Sequence, residues 1–281
     1  MKFKKIAIIG MGLIGGSVGK ALIKKSIAKE VAGICRREVS LEKARKEGAL
    51  TEGYVNDYAR ALLGAEIIII ATPVHTIKEV LEELGNTLKD KGVLVTDAGS
   101  TKKEIVKFAE KFKEKFSFIG SHPLAGSEKT GVENSSENLF GGSVCVLTPD
   151  GTVDAKHERS LSGLWEALGA RVILMTPEEH DKNLAVSSHL PHVAAFALAG
   201  MLKENINKEV FATGFKDTTR IASSDPKIWS DIFATNSGNV LEAIKKYKAI
   251  LSEIEENIKK NDTEKLRKKL EVYKRLRDEL V

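Results

Sequence analysis

Lys5-Ile6-Ala7-Ile8-Ile9-Gly10-Met11-Gly12-Leu13-Ile14-Gly15 is the stretch on which the fold turns. An apolar run leads directly into G-x-G-x-x-G, and a helical pattern opens near Ser17. In that context the three glycines allow a tight turn, close approach of backbone to a pyrophosphate, and close packing of helix on strand. The amide groups and the positive end of the helix then hold the phosphates. Gly10, Gly12, Leu13, Ile14 and Gly15 are therefore the candidate dinucleotide-binding residues.

Outward from this loop the pattern repeats. Val31 to Ile34, Ile67 to Ile70, Val93 to Val95, Phe116 to Ile119, Val144 to Leu147 and Val172 to Leu174 are apolar at successive positions, not alternate ones. Such runs are strands covered on both faces, the mark of a mainly parallel sheet between helices. Amphipathic stretches such as Ile77-Val80-Leu81-Leu84 and Ile105-Phe108-Phe112 separate them. The alternation predicts a doubly wound α/β domain over residues 1–175.

After Met175 the strand signals stop. Thr176-Pro177-Glu178-Glu179 has the form of a helix start, with a capping threonine, proline in the first turn and acids at the positive end. Val240, Ile244, Tyr247, Leu251, Ile254 and Ile258 recur at helical spacing, and Leu266, Leu270 and Tyr273 begin a second stripe. Residues 176–281 are thus expected to be all α. A few helices alone bury little, so their stripes are expected to meet a second copy and form a homodimer.

The end of the second predicted strand carries information about the cofactor. An acid is expected about 20 residues after the glycine loop, to bond the ribose 2′-hydroxyl. Cys35 stands there instead, followed by Arg36 and Arg37. With no carboxylate to repel a 2′-phosphate and two guanidiniums able to grip it, NADP is favoured and NAD remains possible. The alternative is that both arginines are solvated surface charge. Thr72 and Pro73, after the isoleucine run, join the cofactor set by their place at a strand end.

Composition narrows the class. Of 281 residues 42% are hydrophobic and 30% charged, which excludes a disordered chain. A net charge of +5, spread along the chain, argues against a dedicated nucleic-acid binder. Two cysteines, Cys35 and Cys145, make no disulfide framework, and no metal-ligand spacing occurs. No stretch reads as the ~18 continuous apolar residues of a membrane span. A cytoplasmic protein with no membrane and no metal is expected.

Three strand ends offer small, polar or basic groups on one rim: Thr72-Pro73-Val74, Asp97-Ala98-Gly99-Ser100-Thr101-Lys102-Lys103 and Ser121-His122-Pro123-Leu124-Ala125-Gly126-Ser127-Glu128. His122 is there either a proton acceptor or a structural histidine. Ser188-His189-Leu190-Pro191-His192 places two histidines on one face of a helix, without the further ligands zinc would need. Gly214-Phe215-Lys216-Asp217-Thr218-Thr219-Arg220 brings in cations, as surface charge or as a carboxylate clamp.

Taken in order, the glycine loop, Asp-Ala-Gly-Ser-Thr-Lys, Ser-His-Pro-Leu-Ala-Gly-Ser-Glu, Ser-His-Leu-Pro-His and Gly-Phe-Lys-Asp-Thr-Thr-Arg resemble the prephenate/arogenate dehydrogenase family over essentially the whole chain. The resemblance implies a Rossmann-type domain followed by an all-α dimerisation domain. It also implies NAD(P)-dependent oxidative decarboxylation of prephenate or arogenate, a step of tyrosine biosynthesis. Carried over residue by residue, His122 takes or polarises the hydroxyl proton, and Ser100 bonds near the same oxygen. Arg220 binds carboxylate with help from His192, while His189, Lys216, Glu128 and Trp229 line or gate the pocket. His192 favours the prephenate-using branch, with arogenate as the alternative substrate. The chain ends soon after its helices, so feedback through an appended regulatory module is not expected. Two other readings fit less well. A 3-hydroxyacid dehydrogenase would need a Gly-x-x-x-Lys-Asn-like helix, approached only by Asp181-Lys182-Asn183. A non-catalytic cofactor sensor would leave His122 and Arg220 without a purpose.

Overall fold

The computed structural model describes residues 2–89, 92–126, 129–151, 153–203 and 207–280. Eight strands, β1 (Phe3–Ile9), β2 (Ala28–Cys35), β3 (Glu52–Val55), β4 (Ile67–Ile70), β5 (Leu94–Asp97), β6 (Ser117–Pro123), β7 (Val144–Thr148) and β8 (Arg171–Leu174), form one sheet in the order β3-β2-β1-β4-β5-β6-β7-β8. All neighbours are parallel except β6 and β7. The order reverses between β1 and β4, the place where a doubly wound sheet opens a ligand crevice beyond its strand ends.

The sheet is covered on both faces, as its continuous apolar runs require. Ile6 and Ile8 of β1 pack with Val18, Leu22, Leu161, Leu164 and Trp165 on one side. Ala7 and Ile9 pack with Ile68, Ile70, Leu81, Leu84 and Ile105 on the other. Burying each such aliphatic side chain contributes roughly 1.5–3 kcal/mol. The covering helices are α1 (Leu13–Lys24), α2 (Glu38–Lys46), α3 (Tyr58–Leu62), α4 (Ile77–Thr87), α5 (Lys103–Ala109) and α6 (Ala155–Leu168).

Three local expectations need correction. Helix α1 starts at Leu13 rather than near Ser17, because Gly12 is already its cap and Leu13 to Gly15 form its first turn. Strand β3 was not expected; its Glu52-Gly53-Tyr54-Val55 sequence lacks an apolar run because it is the sheet's edge. Strand β6 does not stop at Ile119 but continues through Ser121, His122 and Pro123, where antiparallel pairing with β7 sets His122 opposite Val146.

After β8 the chain is helical: α7 (Pro177–Leu184), α8 (Leu190–Gly200), α9 (Thr213–Thr219), α10 (Pro226–Thr235), α11 (Ser237–Lys259) and α12 (Thr263–Asp278). Thr176 caps α7 as expected: its hydroxyl accepts the Glu179 amide proton at 3.2 Å, and its own amide donates to the Glu179 carboxylate at 2.9 Å. A π-helical turn, Ala185–His189, joins α7 to α8. The resulting helical run, Pro177–Lys203, is by length and composition long and apolar enough to cross a membrane, contrary to the expectation of no such stretch. Histidines and serines interrupt the run, so its apolarity does not show as a continuous stretch in the sequence.

The chain divides into two compact units, residues 1–236 and 237–281. The first therefore runs past the change of texture at Met175 and includes α7 to α10. Within the second, α11 and α12 pack together. The Asp262 carboxylate caps α12 by accepting the Lys265 amide proton at 3.0 Å, and the Lys269 ammonium pairs with Glu253.

Candidate active site

Gly10 takes a φ of +96°, in the left-handed region that glycine alone adopts readily. A Cβ there would lie 2.8 Å from the Ala71 carbonyl oxygen. A Cβ on Gly15 would collide with the Gly10 carbonyl oxygen, so helix α1 meets the end of β1 only because Gly15 is bare. A Cβ on Gly12 would meet nothing within 4 Å: it borders open space. Across the switch point stands Thr72, whose hydroxyl oxygen is buried with no hydrogen-bond partner among the described residues. A bare cradle, a free helix start at Gly12 and an orphaned hydroxyl fit a dinucleotide phosphate. Arg36 and Arg37 follow β2 directly, both exposed, and Arg37 stands at the N-terminal boundary of α2 without a side-chain capping bond. Pro73 is exposed beside Thr72.

A buried polar knot organises the next strand ends. Asp97, the last residue of β5, and Lys102 are completely buried and form an ion pair. The Asp97 carboxylate also accepts the amide protons of Gly99 (2.8 Å) and Ser121 (3.2 Å), and Lys102 donates to the Ser121 carbonyl at 2.9 Å. Ser100 lies between Gly99, thus held, and Thr101, whose hydroxyl donates to Thr235 of α10 at 3.1 Å. The loop bearing Ser100 is therefore fixed to the sheet and to α10. His75 and Asp231 make a second tie to that helix, 2.6 Å apart.

His122 stands above the knot, partly exposed on the rim. Its Nδ1 lies 2.9 Å from Nε2 of buried His180, whose Nδ1 lies 2.8 Å from Oδ1 of buried Asp181. The Asp181 carboxylate also accepts the backbone protons of Lys102 at 2.7 Å and Lys103 at 3.0 Å, an anion seated on the start of α5. Burial alone would raise the Asp181 carboxyl, but the hydrogen bonds from His180 and both amides hold it below its ordinary value. Burial pushes His122 well below the usual histidine value, and His180, the Lys102 ammonium and His189 push the same way. Burial likewise lowers His180, partly offset by Asp181. The rim histidine is thus neutral at neutral pH.

The same chain of contacts extends to the other histidines. Asn236 donates to the Asp181 carbonyl at 2.7 Å and lies 3.2 Å from Nδ1 of His189. His189, buried on the π turn, is lowered to about 4 chiefly by burial. Trp229 of α10 meets the His189 ring edge-on and stacks on His192, with centroids 3.4 Å apart. His122, the His189–His192 pair and Trp229, which lie far apart in sequence, are therefore brought into one linked set. Arg220 opens a short 3-10 turn, Arg220–Ser223, and is exposed; that turn and α9, which carries exposed Lys216, both pack against α8, the helix that carries His192. Glu128 lies outside the described residues. Among the described residues no group of acids, histidines and cysteines could hold a metal ion.

Sequence reasoning missed His180 and Asn236, quoted Asp181 only in a motif of the rejected 3-hydroxyacid reading, and quoted Asp97 and Lys102 only as part of a loop. A partial signal existed for two of them. The capping box fixes the start of α7 and so puts His180 and Asp181 in its first turns; β8, which runs opposite to β1–β6, gives no sign that they reach the ligand rim.

Comparison with known proteins agrees along the whole chain. The family model of the prephenate dehydrogenase nucleotide-binding domain matches residues 18–174, and that of the prephenate dehydrogenase dimerization domain matches residues 176–272. The chain is 35% identical over 285 residues to the prephenate dehydrogenase of Bacillus subtilis, covering 98% of this chain and 76% of that protein. The crystal structure of prephenate dehydrogenase from A. aeolicus, in complex with hydroxyphenyl propionate and NAD+, superposes with a TM-score of 0.92 at 35% identity, over 100% of this chain and 99% of that one. Synechocystis arogenate dehydrogenase matches with a TM-score of 0.84 at 29% identity, over 99% and 100% of the two chains.

Proposed function

The chain belongs to the prephenate dehydrogenase family, and from that premise we propose how its residues work. The reaction is oxidative decarboxylation of prephenate to 4-hydroxyphenylpyruvate, a step of tyrosine biosynthesis. A nicotinamide dinucleotide, when bound, supplies the hydride acceptor. The protein must hold a dianionic cyclohexadienol, take its hydroxyl proton and let the ring carboxylate leave as CO₂.

The observation that carries the reading is a neutral imidazole, His122, on the same edge of the sheet as the glycine cradle. As proton acceptor His122 contributes a typical ~10²–10⁴ in rate. Ser100, on its doubly anchored loop, hydrogen-bonds near the same oxygen. Arg220 makes charge-assisted bonds to a carboxylate, aided by His192, whose ring Trp229 orients by stacking. His189 and Lys216 line the pocket. The clamp must hold the ring carboxylate without over-stabilising a charge that decarboxylation removes.

Gly10, Gly12, Leu13, Ile14 and Gly15 hold the pyrophosphate, with Thr72 and Pro73 across the crevice. Cys35 in place of an acid, with Arg36 and Arg37 exposed after it, supports a preference for NADP, with NAD also accepted. Arogenate is the second substrate to consider, given the likeness to Synechocystis arogenate dehydrogenase. The apolar residues exposed along α11 and α12, among them Leu251, Ile258 and Leu270, support a homodimer through the C-terminal helices, in the cytoplasm. The test is a two-by-two assay of prephenate or arogenate with NAD or NADP. Prephenate with NADP is expected to give the highest kcat/KM; no reduction of either cofactor on either substrate would end the reading.

A further inference from the structure

Three buried or half-buried side chains in a row, His122, His180 and Asp181, pose a question of protons. Each neutral imidazole has one N–H and one bare nitrogen, and only one arrangement of hydrogens satisfies all the contacts. The Asp181 carboxylate already accepts two backbone protons and, being ionised, has none to give. The nitrogen facing it, Nδ1 of His180 at 2.8 Å, must then carry the hydrogen. That leaves Nε2 of His180 bare, so Nδ1 of His122, 2.9 Å away, must be its donor. The one nitrogen left bare is Nε2 of His122.

We infer that His180 and Asp181 are positioning residues that fix His122 in its Nδ1–H tautomer, so that Nε2 is the atom that takes the substrate proton. The inference rests on His122 being the proton acceptor. Lys102, Asn236 and His189, packed about the row, fit this assignment. The Lys102 ammonium is committed to Asp97 and the Ser121 carbonyl, so it does not compete for Asp181. Asn236 donates to the backbone carbonyl of Asp181 and leaves the carboxylate to His180. The contact of Asn236 with Nδ1 of His189 gives that ring the opposite tautomer, with its hydrogen on Nε2. The two histidines therefore differ in role: His122 presents an acceptor and His189 a donor. When His122 is protonated, Nδ1–H keeps its partner in His180, so the imidazolium forms without rearrangement.

Long-range proton–nitrogen NMR on the full chain with NADP bound, above the ordinary histidine range, reads the tautomer directly, and the H122N spectrum assigns the ring. The wild type is expected to show His122 as Nδ1–H; finding its hydrogen on Nε2 overturns the inference whatever the activity. Asp181→Ala removes the acceptor that holds the hydrogen on Nδ1 of His180, so the row loses its fixed direction. His122 should then show mixed tautomers, and kcat should fall on the order of 10³–10⁴-fold with KM little changed, as when the orienting acid of a catalytic histidine is removed. Tautomer and kcat both unchanged in that variant would also overturn it. His180→Phe removes the acceptor without touching the caps on α5, and should give mixed His122 tautomers with a lowered kcat; an undisturbed Nδ1–H tautomer there would contradict the role of His180. Because the tautomer is measured without turnover, failure here is distinct from failure of the wild type to oxidise prephenate.

Discussion

In the proposed mechanism His122 carries the chemistry, and its environment sets the pH behaviour. Held well below the ordinary 6.5 by burial first and by His180, Lys102 and His189 after it, the base stays unprotonated into mild acid. The acid limb of kcat/KM is therefore expected below 6.5, and a limb at or above that value contradicts the site. Stability follows the same sign. In the unfolded chain these histidines bind protons as pH falls through 6.5, while in the folded chain they stay neutral until their depressed values. The unfolded state then holds more protons, so stability is complete above 6.5 and is lost as pH falls from there towards the folded values. Two substitutions separate binding from chemistry. His122→Asn should cut turnover about 10²–10⁴-fold with cofactor affinity nearly intact, measured by steady-state kinetics and cofactor titration. Arg220→Ala should chiefly raise KM; an unchanged KM places the carboxylate clamp elsewhere. The glycine loop was readable from sequence because its demands are on the backbone itself: a positive φ at Gly10 and a bare Cα at Gly15. Asp181 was not, because its meaning comes from Lys102 and Lys103, 79 and 78 residues away.

At the level of elements, the buried Asp97–Lys102 pair joins β5, β6 and the start of α5 around Ser100. Asp97→Ala would strand the Lys102 ammonium in a dry site, at a cost of about 3–5 kcal/mol. Chemical denaturation checks this, and a loss within about 1 kcal/mol would show that the knot does not hold the rim together. The elements legible in sequence were those whose residues are buried on every side, such as Ile67–Ile70. The edge strand β3 escaped because Glu52 and Val55 are exposed. The far end of β6 escaped because Ser121 and His122 are polar, yet the partner strand β7 holds them in extended form. His122 thus sits on a strand, a stiffer support than the loop expected for it.

For the whole molecule, the first unit holds the cradle, the knot and the histidine row, while the second is two helices with much of their apolar surface uncovered. Leu251 is 47% exposed and Ile258 62%, more than an isolated chain should leave in water. In the proposed homodimer a second copy covers this stripe, and Leu251→Glu with Ile258→Glu should convert it to monomers in sedimentation analysis. Dimers that persist in the double variant would place the contact elsewhere. Helical spacing made the stripes legible; the bond of Asn236 to the Asp181 carbonyl, which ties the end of α10 to α7, is one that no local pattern records.

In the proposed mechanism this rim oxidises a cyclohexadienol and releases its carboxylate in one event that needs His122. Measuring CO₂ and reduced nicotinamide together, from prephenate, with the wild type and with His122→Asn, probes that coupling. Equal amounts of both products are expected from the wild type and almost none from the variant, although the variant still binds the cofactor. Reduction without CO₂, or equal rates from the two proteins, would refute the mechanism.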